Sequence, residues 1–124
     1  MLERDIVKAI RKMVNDEFGG ISEKLHGSPY QNAGLPDLAV LVQGRWLWLE
    51  VKRLGGKVTE IQKHLHEKWR GHGATVAVVY SVEEARSVIT QTLAAERGRP
   101  SEASLPHATK APALSLPYFY GRKP

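Results

Sequence analysis

Residues 34–52, which read GLPDLAVLVQGRWLWLEVK, decide the fold. The Val, Leu and Trp residues of this stretch predict two strands, over 37–43 and 45–51. The Gln43-Gly44 pair between them is typical of a tight hairpin turn. The stretch therefore predicts two adjacent antiparallel strands.

The register of this hairpin brings charged residues together. If Gln43 and Gly44 form the loop, Val42 faces Arg45, and Asp37 then lies opposite Glu50. Lys52 lies two residues beyond Glu50, so its side chain points to the same face of the sheet. We expect two carboxylates and one ammonium group at the open end of an otherwise apolar hairpin.

Two opposed carboxylates at the edge of a core repel each other and lose hydration, so another group must offset their charge. Lys52 could do so as part of a structural network with Asp37 and Glu50. A hard divalent cation such as Mg²⁺ could also do so, because it prefers oxygen ligands. The hairpin by itself leaves both interpretations open.

The flanking segments complete an α/β fold. The spacing of apolar residues predicts a helix over 2–14, an extended segment over 21–27, a helix over 59–71, a strand over 74–80 buried on both faces, and a helix from Ser81 to about Glu96. The second helix is expected to bury Ile61, Leu65 and Trp69. A helix between two strands implies a parallel pair. The order αβββαβα therefore predicts a mixed sheet of about four strands flanked by helices.

Composition and charge divide the chain into two parts. Residues 1–96 carry 13 Lys and Arg against 12 Asp and Glu, whereas residues 97–124 carry five against one. The second part is also rich in Pro, Ser and Ala, which is typical of a flexible tail. We predict a folded domain over 1–96 and a basic tail over 97–124 that docks on a protein surface, contacts DNA or stays disordered.

The composition also excludes several classes of site. The chain has no cysteine, so it has no disulfide, thiolate zinc site, iron–sulfur cluster or cysteine nucleophile. It has no apolar run long enough to span a membrane and no apolar segment typical of a secretory signal near its first residue. We expect a cytoplasmic protein without a membrane partner.

Two short motifs in the hairpin resemble the core of the PD-(D/E)XK nucleases: Pro36-Asp37 and Glu50-x-Lys52. The chain resembles the virus-type replication-repair nuclease (VRR-NUC) family more closely, over roughly residues 1–90. The matching positions, in the family's order, are Glu3 on the first helix, Gly34, Pro36 and Asp37 in the loop, Glu50 and Lys52 on the strand, and Gln62 on the next helix.

The resemblance implies a metal-dependent DNA endonuclease with a PD-(D/E)XK-type core. Asp37, Glu50 and the main-chain carbonyl of Val51 would hold Mg²⁺ or Mn²⁺, and Lys52 would act on the attacking water or the phosphate. Small members of the family act as homodimers on branched DNA, like Holliday junction resolvases. The resemblance also implies a role in the DNA replication or repair of a phage or mobile element, in the cytoplasm of a bacterial host.

Two residues of the match have a structural alternative. Glu3 is either a metal ligand or neighbour, or an acid favoured at a helix N-terminus by the dipole. Gln62 is either an active-site residue or the last member of a Thr59-x-x-Gln62 capping box.

Lys24 and His26, before the loop, are candidate substrate contacts, or they lie on a solvated strand face. The main functional alternative for the whole chain is a nucleic-acid binding module that keeps the nuclease fold without catalysis. Such a module would typically lack Asp37, Glu50 or Lys52, and all three are present.

Overall fold

The computed structural model describes residues 1–25 and 34–97. Its helices and strands are α1 (Glu3–Phe18), β1 (Ile21–Lys24), β2 (Leu38–Val42), β3 (Arg45–Val51), α2 (Glu60–Gly71), β4 (Thr75–Val79) and α3 (Val82–Arg97). The predicted order αβββαβα is confirmed. Residues 1–93 form one compact unit. From Ala94 the chain belongs to a second unit, and the predicted tail lies outside the described residues beyond Arg97.

The four strands form one mixed sheet in the order β1-β2-β3-β4. β1 and β3 both run antiparallel to β2, whereas β4 runs parallel to β3. Val42 pairs with Arg45, as the two-residue turn predicts. Gln43 and Gly44 both have positive φ angles, 49° and 79°, which is the type I′ geometry of a two-residue hairpin.

The main core lies on one face of this sheet. Alternate residues of β3 point into it, namely Leu47, Leu49 and Val51, all of which are fully buried. α1 and α3 contribute the apolar side chains that complete this cluster. α1 ends four residues later than predicted, at Phe18, and Gly19 follows it in the left-handed conformation with φ of 64°.

The opposite face of the sheet is covered in part by α2. Trp46 stacks on Trp48 at a centroid distance of 5.8 Å, and the ring of Trp69 from α2 meets Trp48 edge-on at 5.2 Å. Glu50 follows Trp48 on this face by two residues, so the face that carries the tryptophans also carries the acidic residue.

One prediction about burial is wrong and one is confirmed in part. α2 buries His66, whereas Ile61 is 59% exposed, because the helix turns the Gln62–His66 side toward the sheet. β4 has one buried residue on each face, as predicted, because Val76 lies beside Trp48 and Val79 beside Val51, although the residues between them are partly exposed. β4 is the outermost strand of the sheet, so it has a strand neighbour on one side only. In the described part of the chain, no helix is long and apolar enough to cross a membrane.

Candidate functional site

Asp37 and Glu50 lie at the open end of the hairpin formed by β2 and β3. Asp37 immediately precedes β2, and Glu50 is the second-last residue of β3. Leu38 pairs with Leu49, so the next position along the register sets Asp37 against Glu50, as predicted. The pair next to a two-residue turn exchanges both backbone hydrogen bonds, and such pairs alternate with non-hydrogen-bonded ones. Counting from the turn, Asp37 and Glu50 occupy a non-hydrogen-bonded position, where opposing side chains approach most closely.

Pro36 changes the backbone bonding at the next position, opposite Val51. The Val51 N–H donates to the Asp37 Oδ2 atom at 2.7 Å, so the Asp37 side chain takes the place of a strand carbonyl. A proline has no N–H, so Pro36 cannot return the ladder bond to the Val51 carbonyl. The Pro36-Asp37 pair thus orients the Asp37 carboxylate and leaves the Val51 carbonyl without its usual partner on β2.

Gln62 fulfils both of the roles that the sequence allowed. Its Oε1 atom accepts from the Thr59 N–H at 2.9 Å, and its own N–H donates to the Thr59 hydroxyl at 3.1 Å, which completes the capping box. Its Nε2 atom donates to Glu50 Oε2 at 2.9 Å. The start of α2 therefore holds Glu50 in place through the residue that caps it.

Lys52 completes the predicted cluster. Its Nζ atom lies 3.4 Å from Glu50 Oε2, and the side chain is only 13% exposed. The Lys52 N–H donates to the Val79 carbonyl at 3.0 Å, so β4 fixes the backbone at this position. The structure therefore brings together Asp37, Glu50, Lys52 and Gln62.

The two carboxyl groups are held in an environment that resists their ionisation. Glu50 is 2% exposed, and its Oε1 atom is buried without a hydrogen-bond partner. Burial, and then the nearby Asp37 carboxylate, raise the pKa of Glu50 from 4.5 to about 7. Burial also raises the pKa of Asp37, despite the hydrogen bond from Val51. The Lys52 ammonium therefore offsets the burial and mutual repulsion of these carboxyl groups only in part.

His66 is a site residue that the sequence analysis missed. Its ring is 1% exposed, and it forms a hydrogen bond with the backbone of Gly34. Burial is the main reason that the pKa of His66 is lowered, which favours the neutral form of the ring. The Gln62 and His66 side chains share one face of α2 because they are four residues apart, and this spacing was the available signal.

Gly34 fits closely against the same helix. It has a φ of 90°, and a Cβ atom there would lie 3.1 Å from the Ile61 carbonyl oxygen. Pro36, two residues later, is fully buried. α2 therefore holds both the loop that presents Asp37 and, through Gln62, the Glu50 carboxylate.

Glu3 lies at the margin of the cluster. Its Oε2 atom accepts from the Arg53 N–H at 3.4 Å, and its charge contributes to the raised pKa of Asp37. Glu3 is also the first residue of α1, so its helix-terminal position is as predicted. Among residues 1–25 and 34–97, no three His, Cys, Asp or Glu side chains form a metal-binding group.

The two candidate substrate contacts are placed differently. Lys24 ends β1, opposite the core residue Leu38, so its exposed side chain lies on the α1 side of the sheet and not on the face that carries Asp37. The Leu25 N–H donates to the Asp37 carbonyl at 2.8 Å, which ties this end of β1 to the loop. His26 lies outside the described residues.

Comparison with solved structures identifies similar folds. One, a "VRR_NUC domain", is 31% identical; the match covers 71% of this chain and 94% of that chain with a TM-score of 0.62. Another, a "VRR_NUC domain protein", is 18% identical; the match covers 76% of this chain and 89% of that chain with a TM-score of 0.63, and it shows the fold alone. No protein-family model matches the chain, and no curated protein matches it.

Proposed function

Because the chain belongs to the VRR_NUC domain family and its domain is of the nuclease type, we propose that it is a metal-dependent DNA endonuclease that hydrolyses phosphodiester bonds. One observation carries the proposal. Glu50 is buried with one oxygen unpartnered, faces Asp37, and contacts Lys52 on the other oxygen. A fold that needed these groups only for stability would gain little from burying two repelling carboxyls.

The residues present fit a divalent cation. A hard cation takes carboxylate and carbonyl oxygens and keeps several waters, so two carboxylates are enough protein charge. Asp37 and Glu50 would hold Mg²⁺ or Mn²⁺ together with the main-chain carbonyl of Val51, which Pro36 leaves without its ladder bond. The raised pKa values of both carboxyls also support a cation site. A bound cation would attract both carboxylates and so outweigh the repulsion between them.

When bound, the metal would polarise a phosphoryl oxygen and lower the pKa of a water molecule. The protein groups act around that chemistry. The Lys52 ammonium, held near Glu50 Oε2, would stabilise the negative charge that develops on the phosphate. Gln62 would keep the Glu50 carboxylate oriented through its 2.9 Å hydrogen bond, so it is a positioning residue. Glu3 would contribute negative charge at the margin of the site.

We further propose that the enzyme acts on branched DNA as a homodimer, like Holliday junction resolvases, in phage or mobile-element replication or repair. Support comes from the family resemblance and from the small size of the domain, which leaves no room for a separate recognition domain in residues 1–96. A two-fold dimer would present two sites for two symmetric cuts. A bacterial cytoplasm is the compartment that this role implies.

The test is cleavage of a labelled four-way junction beside a linear duplex of the same sequence, with Mg²⁺, with Mn²⁺ and with EDTA. The wild type is compared with Lys52→Ala and with Lys63→Ala, an exposed lysine on α2 that serves as the matched control. Paired cuts on the junction, lost with EDTA and in Lys52→Ala only, are expected.

Other outcomes would distinguish the proposed nuclease activity from the proposed branched substrate. Equal cutting of the linear duplex would retain the nuclease and contradict the branched substrate. Binding without cleavage by the wild type under either metal would favour the non-catalytic binding module instead.

A further inference from the structure

We propose that a groove between α1 and β1 binds the phosphodiester backbone of the DNA beside the active site, an inference that rests on the proposed nuclease function. The groove has a volume of about 780 Å³ and runs along the exposed edge of the sheet. It lies outside the carboxylate cluster, and none of the groups placed in that cluster lines it.

The groove is the basic part of an otherwise acidic domain. Five cationic side chains line it: Arg4, Lys8, Arg11, Lys12 and Lys24. Asp5 and Glu23 are the acidic side chains among the lining residues, so the groove has a net charge of +3. Residues 1–96 as a whole carry 13 Lys and Arg against 12 Asp and Glu, which leaves a net charge of −2 for the rest. This separation of charge fits a polyanion.

The cations on α1 follow one line along the helix. Arg4, Lys8 and Arg11 recur at intervals of four and three residues, and Asn15 continues the series. The apolar residues of α1 occupy the other side of the helix, in the core. From Arg4 to Asn15 the helix rises about 16 Å. At about 3.4 Å of axial rise per nucleotide, this line matches about five phosphates of one strand.

Three of the five cations are available to a ligand. Arg4, Lys8 and Lys24 are exposed, and within residues 1–25 and 34–97 none of them forms an ion pair. Lys12, by contrast, is paired with Asp16 on its own helix. Within the described part of the chain, a phosphate would therefore displace no ion pair at these three positions.

Arg11 links the two walls of the groove, because it lies on α1 and bonds to Ser22 of β1. Its Nε atom donates to the Ser22 hydroxyl at 3.0 Å, and its Nη2 atom donates to the Ser22 carbonyl at 3.1 Å. The second bond satisfies a carbonyl of an edge strand, which would otherwise be free to pair with another chain. This bond opposes the addition of a strand from another chain to β1 at Ser22. A partner would therefore bind the charged walls of the groove.

At one end of the groove, both walls are linked to backbone segments of the active site. Arg4 follows Glu3, whose carboxylate accepts from the Arg53 N–H next to Lys52. On the other wall, Lys24 precedes Leu25, whose N–H donates to the Asp37 carbonyl. A strand whose scissile phosphate lies at the carboxylates would therefore pass between Arg4 and Lys24 and continue along α1.

The test measures binding of a fluorescent duplex by the full chain in EDTA, where no cleavage occurs, over a range of salt concentrations. The triple variant Arg4→Gln, Lys8→Gln, Lys24→Gln is compared with the wild type. Each lost phosphate contact lowers the salt slope by about 0.9, so the slope should fall by about 2 to 3 and the affinity by on the order of 100-fold at low salt. Lys8→Gln alone should lower the slope by about 1.

Arg86→Gln is the matched control for charge removal, since Arg86 is a partly exposed arginine of α3 that pairs with Glu17 away from the groove. Its salt slope should equal that of the wild type. Equal slopes for the triple variant and the wild type would overturn the proposal, as would the absence of DNA binding by the wild type. Competition by polyglutamate as effective as that by DNA would assign the groove to an acidic protein instead.

Cleavage with Mg²⁺ distinguishes this proposal from the proposed function. The triple variant should raise KM and leave kcat at saturating DNA nearly unchanged. A nuclease whose KM and salt slope do not respond to the triple variant would retain the proposed function and refute the groove. A protein that binds DNA through the groove without cutting it would retain the groove and refute the proposed nuclease function.

Discussion

Glu50→Gln is expected to stabilise the metal-free protein above pH 7 and to change its stability little at pH 5. Glu50 is buried, and burial together with Asp37 raises its pKa from 4.5 to about 7. Between these two values the folded protein binds a proton that the unfolded chain does not hold, so stability falls as the pH rises through this window. Glutamine has no charge to desolvate, so it removes this loss.

The magnitude follows from the shift in pKa. A change in pKa from 4.5 to about 7 corresponds to a loss of about 3 kcal/mol in the free energy of unfolding between low and high pH. Asp37 and Lys52 remain partly exposed to water, which screens part of this interaction, so we expect about 2 kcal/mol. The hydrogen bond from Gln62 survives, because the amide oxygen of glutamine can accept it in place of the carboxylate.

His66 has the opposite effect on the pH profile, so a comparison of two variants is needed. Burial lowers the pKa of His66, so its contribution to stability is lost as the pH falls below the ordinary histidine value of about 6.5. His66 is present in both the wild type and Glu50→Gln. The difference between their free energies of unfolding therefore isolates the contribution of Glu50.

The assay is guanidinium chloride unfolding in EDTA between about pH 5 and pH 8, followed by tryptophan fluorescence. The stability difference in favour of Glu50→Gln should grow with pH by about 2 kcal/mol and level off above pH 7. A difference that is independent of pH would refute the reasoning, since it would mean that Glu50 titrates alike in the folded and unfolded states. A difference that grows toward low pH would refute it as well.

Three further outcomes are expected. Thr59→Ala and Gln62→Ala should each cost about 1 kcal/mol of stability, because each removes part of the capping box. Of these two, Gln62→Ala alone should also slow cleavage at saturating DNA, because Gln62 contacts Glu50 and Thr59 does not. Equal cleavage rates for the two variants would contradict the positioning role of Gln62. Gly34→Ala should lower the free energy of unfolding by about 1 to 3 kcal/mol, since φ is 90° there, and an unchanged melting temperature would show that the loop tolerates a side chain. Mg²⁺ at about one hundred times its Kd should stabilise the wild type by about 2.7 kcal/mol in a thermal melt, and an equal gain by Asp37→Asn would argue against the carboxylate pair as the ligand.

The hairpin and its register could be predicted because they depend on local interactions. The turn at Gln43 and Gly44 requires a particular backbone geometry, and the alternation of side chains along a strand then sets every pairing. Asp37 and Glu50 follow from that counting, and so does the position of Lys52. The capping box that contains Gln62 is local as well, since its members lie within one turn of the helix.

The orientation of α2 could not be predicted in this way. Helical spacing alone suggested that Ile61 is buried, whereas the helix buries His66 instead. The deciding contacts are with distant parts of the chain, such as the backbone of Gly34 and the ring of Trp48. The four-residue spacing within α2 places Gln62 and His66 on one face of the helix, but it does not show that this face meets the sheet.

The sequence by itself determined that Asp37, Glu50 and Lys52 lie together and that Gln62 caps α2, because strand alternation, turn chemistry and helix capping act over a few residues. Only the tertiary structure decided the environment of that site. The packing of α2 against the sheet buries Glu50, and the edge position of β1 opens the basic groove along α1. Burial and charge at a point in space sum over residues that are far apart in the chain, so they become defined only when the elements pack together.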